Sequence, residues 1–315
     1  MLELTSEEIS ESRKYYKDKI SRLPKVDFNK KGQLYLVRAL GLMSFIAPSP
    51  IRKMGLSVQN RRVSALGRSV AVRIIQPTGK ARAIIVDIHG GGWTVARAIH
   101  NDPLNGALAQ AGYAVVSVDY RHAPDHDFQV VIDDCETALA WALSKGEGVL
   151  GASPVFLHGD SAGAHLSVAA ALRCRTSSPR FDQLKGMVLF YGCFDLSATD
   201  SVRAAPEDTL VFYGPGLAPF YERVTGGMSE TQRRSPAISP LYADLSDMPP
   251  ALLFVGTADP LIDDSKLLAE KMNAQGREAE LVIVPEAPHS FNRFRTAVAD
   301  RANSYARSWI DQRLD

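Results

Sequence analysis

Ser161 lies in Gly159-Asp160-Ser161-Ala162-Gly163, a G-x-S-x-G spacing set between the apolar run Phe156-Leu157 and an alanine-rich segment. The pattern reads as a strand, a sharp turn and a helix. Glycines two positions to either side let the turn tighten until the serine hydroxyl stands at its tip. The N–H groups at the start of the following helix favour negative charge beside that hydroxyl. The chemistry this permits is nucleophilic attack. An isolated match also occurs in ordinary turns leading into helices, so the reading depends on a base, an orienting carboxylate and donors for a developing oxyanion.

The donors come first in chain order. His89-Gly90-Gly91-Gly92-Trp93 directly follows the apolar run Ile84 to Ile88, and three consecutive glycines leave a bare backbone whose amides can approach a ligand oxygen. One donor is expected in this loop and another on Ala162, the residue after the serine. A phosphate cradle is the competing reading. No G-x-x-x-x-G-K-[ST] lysine accompanies these glycines, however, and they do not fit G-x-G-x-x-G opening a helix. His89 is expected to hold the loop by hydrogen bonding.

Of the seven histidines, only His165 and His289 follow Ser161, as the chain order serine, acid, histidine requires. His165 is one turn further along the same helix and projects away from the turn tip. His289, in Val284-Pro285-Glu286-Ala287-Pro288-His289, follows an apolar strand and has the reach of a loop residue. For the acid, Asp259 closes the run Leu252 to Val255, and Pro260 delays the next helix. Asp263 and Asp264 are expected to cap that helix. Ser161, His289 and Asp259 then form a set suited to acyl transfer. The serine attacks an ester carbonyl, the imidazole takes its proton, and the carboxylate fixes the tautomer.

Positioning these groups takes a sheet with helices on both faces. Alternating Val63, Val70, Val72 and Ile74 predict an antiparallel hairpin from Leu56. Continuous apolar runs then predict buried parallel strands at 83–88, 114–118, 154–157, 187–191, 251–255 and 281–284. Helices are expected at 103–110, 128–143, 162–174, 263–275 and 295–312. The alternation gives an α/β fold with a mostly parallel central sheet flanked by helices. Two helices, at 6–20 and 34–45, precede the first strand. Residues 193–250 form a long departure carrying Gly214-Pro215-Gly216 and several aromatics, the length of an inserted lid. The expected division is therefore 1–50, N-terminal cap helices; 51–192, first part of the core; 193–250, cap insertion; and 251–315, second part of the core.

Composition narrows the partner. A net charge of +1 gives no field for nucleic acid or an anionic membrane surface, and no apolar run approaches a membrane span. The start Met1-Leu2-Glu3-Leu4-Thr5-Ser6-Glu7-Glu8 is acidic where a secretory leader is basic and then apolar. Cys135, Cys174 and Cys193 are too few and too widely spaced for a disulfide framework or a zinc site. The expectation is a cytoplasmic protein acting on a small molecule, with no metal and no cofactor.

With these residues in place, the chain resembles the hormone-sensitive-lipase-like carboxylesterases of the α/β-hydrolase fold. The resemblance rests on His89-Gly90-Gly91-Gly92-Trp93, Asp160-Ser161-Ala162-Gly163, Asp259-Pro260-Leu261 followed by His289, and Asp119-Tyr120-Arg121-His122-Ala123-Pro124-Asp125-His126. It implies that Ser161, Asp259 and His289 form the triad. It also implies that Gly91 and Gly92, more than Gly90, join Ala162 in the oxyanion hole. Further implications are a cap from both additions, hydrolysis of short to medium acyl esters, and a homodimer. Trp93, Asp160, Phe212 and Tyr213 are candidates for the substrate pocket. The chain departs from the family pattern at His122 for leucine, Asp127 for proline, Ala164 for a second glycine, Ser290 for glycine, and Thr94-Val95-Ala96-Arg97, which lacks a common glycine. A deacetylase, a lactone or amide hydrolase, and a non-catalytic receptor on the same fold are the alternatives.

Overall fold

Apolar runs bounded by glycine, proline and polar turns build one eight-stranded sheet. Its strands are β1 (Ser57–Ala65), β2 (Arg68–Gln76), β3 (Ile84–Ile88), β4 (Ala114–Asp119), β5 (Val155–Asp160), β6 (Leu184–Phe190), β7 (Ala251–Gly256) and β8 (Ala279–Val284). The structure is a computed structural model and describes residues 2–43 and 49–314. Across the sheet the order is β1-β2-β4-β3-β5-β6-β7-β8. β1 and β2 form the expected antiparallel hairpin, β2 runs antiparallel to β4, and every later pairing is parallel.

The helices are α1 (Ser6–Tyr15), α2 (Lys31–Met43), α3 (Pro50–Lys53), α4 (Asp102–Gln110), α5 (Phe128–Leu150), α6 (Ala162–Ser177), α7 (Asp200–Arg203), α8 (Leu217–Val224), α9 (Glu230–Arg233), α10 (Ile262–Ala274) and α11 (Ala297–Asp311). Successive strand residues point to opposite faces, and this splits the core in two. Val86, Leu157 and Leu253 pack with Leu139 of α5, Leu166 of α6 and Leu268 of α10. Ile85, Phe156 and Phe254 pack on the other face with Leu108 of α4 and Ile310 of α11. All five residues of β3 are buried; each Ile or Val so placed contributes about 1.5–3 kcal/mol.

α5 outlasts the expected end at 143. Gly146 passes over β3 at a point where a Cβ would lie 2.6 Å from Ile84 Cδ1, so the glycine is there for close packing, and the left-handed Gly151 ends the helix. The first expected helix, 6–20, is α1 followed by a π-helical turn over Tyr16–Ile20, and it opens on a capping box of Thr5 and Glu8. The second is α2; Ser44 and Phe45, the end of the expected span, lie outside the described residues.

Residues 193–250 carry α7, α8 and α9 and join the N-terminal segment directly. Val26 bridges Phe212, with Tyr213 N–H donating to Val26 O at 3.0 Å, and Phe28 stacks on Phe220 at 5.0 Å. Asp263 and Asp264 stand in the first turn of α10, at its positive end as expected, but neither is its N-cap, which is Leu261. Asp264 instead accepts the amides of Phe194 and Asp195 at 2.6 and 2.8 Å and the Thr199 hydroxyl at 2.8 Å, while Asp263 accepts Ser201 N–H at 3.0 Å. Both carboxylates therefore anchor the start of the insertion. Burial pushes the Asp264 carboxyl up to about 7, against those hydrogen bonds.

Candidate active site

The turn after β5 holds Ser161 at φ +56° and ψ −122°, which costs an L residue about 1–3 kcal/mol. Close packing secures it. A Cβ on Gly163 would overlap the Ile88 carbonyl oxygen at the end of β3, and one on Gly159 would lie 2.6 Å from the Gly163 oxygen. The Ser161 amide donates to Phe190 O at 2.8 Å. α6 begins at Ala162, so its positive end faces the serine hydroxyl.

His289 Nε2 lies 2.9 Å from Ser161 Oγ, and its Nδ1 lies 2.9 Å from Asp259 Oδ2. A carboxylate only accepts, so Nδ1 carries the ring proton and Nε2 is free to accept the serine O–H. The other oxygen, Asp259 Oδ1, accepts Leu261 N–H at 2.9 Å, a bond made because Pro260 turns the chain back over its predecessor. Both side chains are nearly fully buried. The imidazole is packed by Tyr191 and Phe212, with ring centroids at 4.6 and 4.8 Å.

Above the serine is a cavity of about 220 Å³, and Gly90, Gly91 and Gly92 line it together with Ser161 and His289. Gly91 and Gly92 have φ of +112° and +57°, a backbone that glycine tolerates at no steric cost. Their amides and that of Ala162 find no hydrogen-bond acceptor among the described residues. The Gly90 carbonyl accepts from His89 Nδ1 at 2.7 Å, which fixes the start of the loop. From the N-terminal side, Arg38 of α2 donates to Thr94 O at 2.8 Å and pairs with Asp125 at 2.7 Å.

The four pocket candidates separate. Phe212 lines the cavity. Trp93 also reaches it but is only 1% exposed, its indole N–H donating to His165 Nδ1 at 3.1 Å. His165 Nε2 donates in turn to Ile238 O at 2.7 Å, and burial pushes this imidazole down to about 4. Asp160 borders the cavity with its carboxylate turned to Asn101 and Arg293, at 3.3 and 3.0 Å. Tyr213 is not a lining residue; its backbone is engaged by Val26 and its hydroxyl goes to Glu207 at 3.4 Å. Arg97 pairs with Asp119 at 2.7 Å.

Sequence reasoning missed Arg293, four residues past His289. Its Nη2 donates to Asp160 Oδ1 and to Asn101 Oδ1, tying the histidine loop to the residue before the serine. A cation so near His289 was the available signal. Val26, Phe28 and Cys193 also line the cavity.

The α/β-hydrolase-fold family matches residues 85–293. Carboxylesterase NlhH of Mycobacterium tuberculosis is 33% identical over 238 residues, 71% of each chain. An acetyl esterase of Salmonella schwarzengrund is 29% identical over 253 residues, 76% of each chain. Among solved structures, a hormone-sensitive lipase from a metagenome library superposes with a TM-score of 0.77 at 26% identity, covering 98% of this chain and 97% of its own. The chain belongs to the hormone-sensitive-lipase-like carboxylesterases of the α/β-hydrolase fold. It is a carboxylic ester hydrolase acting on small-molecule esters. Among the described residues no helix is long and apolar enough to cross a membrane.

Proposed function

We propose that the chain hydrolyses esters of short to medium acyl chains through an acyl-enzyme on Ser161. His289 is the base and Asp259 its orienting acid, and the amides of Gly91, Gly92 and Ala162 receive the oxyanion. One observation carries the reading: Asp259, His289 and Ser161 are linked at 2.9 and 2.9 Å, and the last link faces a cavity lined by glycine backbone.

As Ser161 Oγ bonds to the carbonyl carbon, its proton passes to His289 Nε2 and the carbonyl oxygen becomes an anion held by the amides. The anion collapses, the bond to the alcohol oxygen breaks, and His289 returns the proton to that oxygen. A water then repeats the sequence on the acyl-enzyme, giving its proton to His289 and releasing the acid and Ser161. Each step uses the chain's own groups and one water.

A cavity of about 220 Å³ is smaller than the roughly 300–1,000 Å³ common for drug-sized ligands. That size supports acetate and butyrate esters over long acyl chains, and the acetyl esterase relative supports acetyl esters as the first to test. Segments 1–50 and 193–250 are read as a cap over a core of 51–192 and 251–315, supported by the Val26–Phe212 bridge. A cytoplasmic location agrees with three free, buried cysteines, and a homodimer agrees with β8 standing at the sheet edge.

The test is initial rates on p-nitrophenyl esters from acetate to palmitate, with Ser161→Ala in parallel. Rates should peak at short chains and vanish in the variant. A folded Ser161→Ala protein that retains turnover would remove the assignment.

A further inference from the structure

A second and larger cavity, about 800 Å³, opens between α4 and α11. Leu104 and Leu108 of α4 and Ala306 and Ile310 of α11 give it apolar walls. Its polar lining is biased towards cations, with Arg293, Arg295 and Arg307 against Asp300. His158 of β5 also lines it, a buried imidazole whose Nδ1 donates to Asp87 Oδ1 at 3.1 Å. His158 Nε2 has no hydrogen-bond partner among the described residues, and the side chain's 6% residual exposure opens into this cavity.

Arg293 lines both this cavity and the one above Ser161. Its guanidinium is held by Asp160 and Asn101 on one side and keeps 28% exposure. The loop that carries it begins at His289, so any ligand that draws on Arg293 also acts on the brace behind the base.

We propose that the α4–α11 cavity binds an aliphatic monocarboxylate, its carboxyl group at His158 and Arg293 and its tail between Leu104, Leu108, Ala306 and Ile310. A carboxyl group suits the imidazole in either charge state, since it donates O–H to a neutral Nε2 or accepts N–H from a protonated one. The neighbouring guanidinium favours the carboxylate. The apolar walls select a tail over a second charge, which separates this ligand from a dicarboxylate or a phosphate. Occupancy competes with Asp160 for Arg293, loosens the loop behind His289 and slows turnover without excluding substrate. The binding half of this proposal stands on the cavity alone; the inhibitory half rests on the proposed role of His289.

Sodium octanoate is the probe, titrated by calorimetry into the wild-type protein, Ala107→Trp and Ser304→Trp. Ala107 and Ser304 line the cavity on α4 and α11 and lie outside the machinery around Ser161. Wild type should bind octanoate, and both variants at least about tenfold more weakly, a difference of about 1.4 kcal/mol. Equal binding in all three proteins, or none in wild type, overturns the proposal. This arm reads the cavity even if no ester is turned over. In the kinetic arm, octanoate should lower kcat with KM unchanged in wild type, and lose that effect in the variants, whose turnover without octanoate is unchanged. Purely competitive inhibition places octanoate above Ser161 and overturns the inhibitory half. Two variants keep the test intact if one of them misfolds.

Discussion

Asp259–His289 and Asp87–His158 are the same two groups at nearly the same distance, 2.9 and 3.1 Å, and both pairs are buried. They differ in support and in what meets the far nitrogen. Asp259 and His289 stand on loops beyond β7 and β8, and among the described residues Asp259 has one further donor, the Leu261 amide. Asp87 and His158 lie within β3 and β5, where Asp87 also accepts from Ser117 at 2.6 Å, Asn105 at 2.8 Å and Asn101 at 3.0 Å. Burial alone would raise the Asp87 carboxyl; His158, Ser117 and Asn105 outweigh it and hold the group below the usual carboxylate range. At the far nitrogen, His289 meets a serine and His158 meets a cavity. An Asp–His pair is thus a means of fixing a ring, and the proposed catalytic role falls to the pair whose far nitrogen meets a serine at a strand end.

The sharpest way to break the comparison is to remove a partner from each pair. Ser161→Ala or His289→Ala should lower kcat on p-nitrophenyl butyrate by roughly 10⁴–10⁶, and Asp259→Asn by about 10⁴, with thermal unfolding little changed. His158→Leu should do the reverse. Asp87 loses one donor and keeps Ser117, Asn105 and Asn101, which costs about 1–3 kcal/mol and lowers Tm by several degrees, while kcat at a temperature where the variant is folded stays within about tenfold of wild type. A catalytic loss in His158→Leu as large as that in His289→Ala would show that the pairs are not distinct in role.

Arg293→Met falls between the two. Losing the brace to Asp160 should cut kcat about tenfold, or about 1.4 kcal/mol, with KM nearly unchanged, and Arg293→Lys should recover part of it. A purely structural role would instead move Tm and leave the kcat of the folded enzyme alone.

The smallest effect concerns His122. Burial pushes this imidazole down to about 3, helped by the neighbouring His89, Arg38 and Arg97, and its Nε2 is buried without a partner among the described residues. An unfolded histidine takes up its proton near 6.5. Above about pH 6.5 the group is neutral in both states. As pH falls from there towards 3, the unfolded chain binds more protons and the folded state loses stability. His122→Leu should therefore raise Tm by a few degrees at pH 5 and by less at pH 8, as followed by circular dichroism.

The glycine-spaced turns were legible because their constraints are local. Gly163 must be bare to clear Ile88, and Gly91 must reach a positive φ, and both requirements show as residue type at a fixed offset. The parallel strands were legible as apolar runs for a similar reason. Pairings set by topology were not. His158 and Asp87 are 71 residues apart and appear in sequence as single polar interruptions of two apolar runs; only the β3–β5 register puts them side by side. Asp264 looked like a helix cap because acids at helix starts usually are, yet the amides it accepts come from 70 and 69 residues upstream. Tyr213 and Phe212 are neighbours of like composition, and only the bridge to Val26 decides which faces the cavity.

That bridge has a consequence for proteolysis. Val26 and Phe28 form part of the wall above Ser161 and hold Phe212 and Phe220, so the N-terminal segment is one side of the cavity above the serine. A nick beyond Lys30 that released this segment would open that wall, and would also take Arg13 from Glu286 and Tyr16 from Phe294 on the loop that carries His289. Cutting there would enlarge the cavity and loosen the loop behind His289 together, without a single substitution.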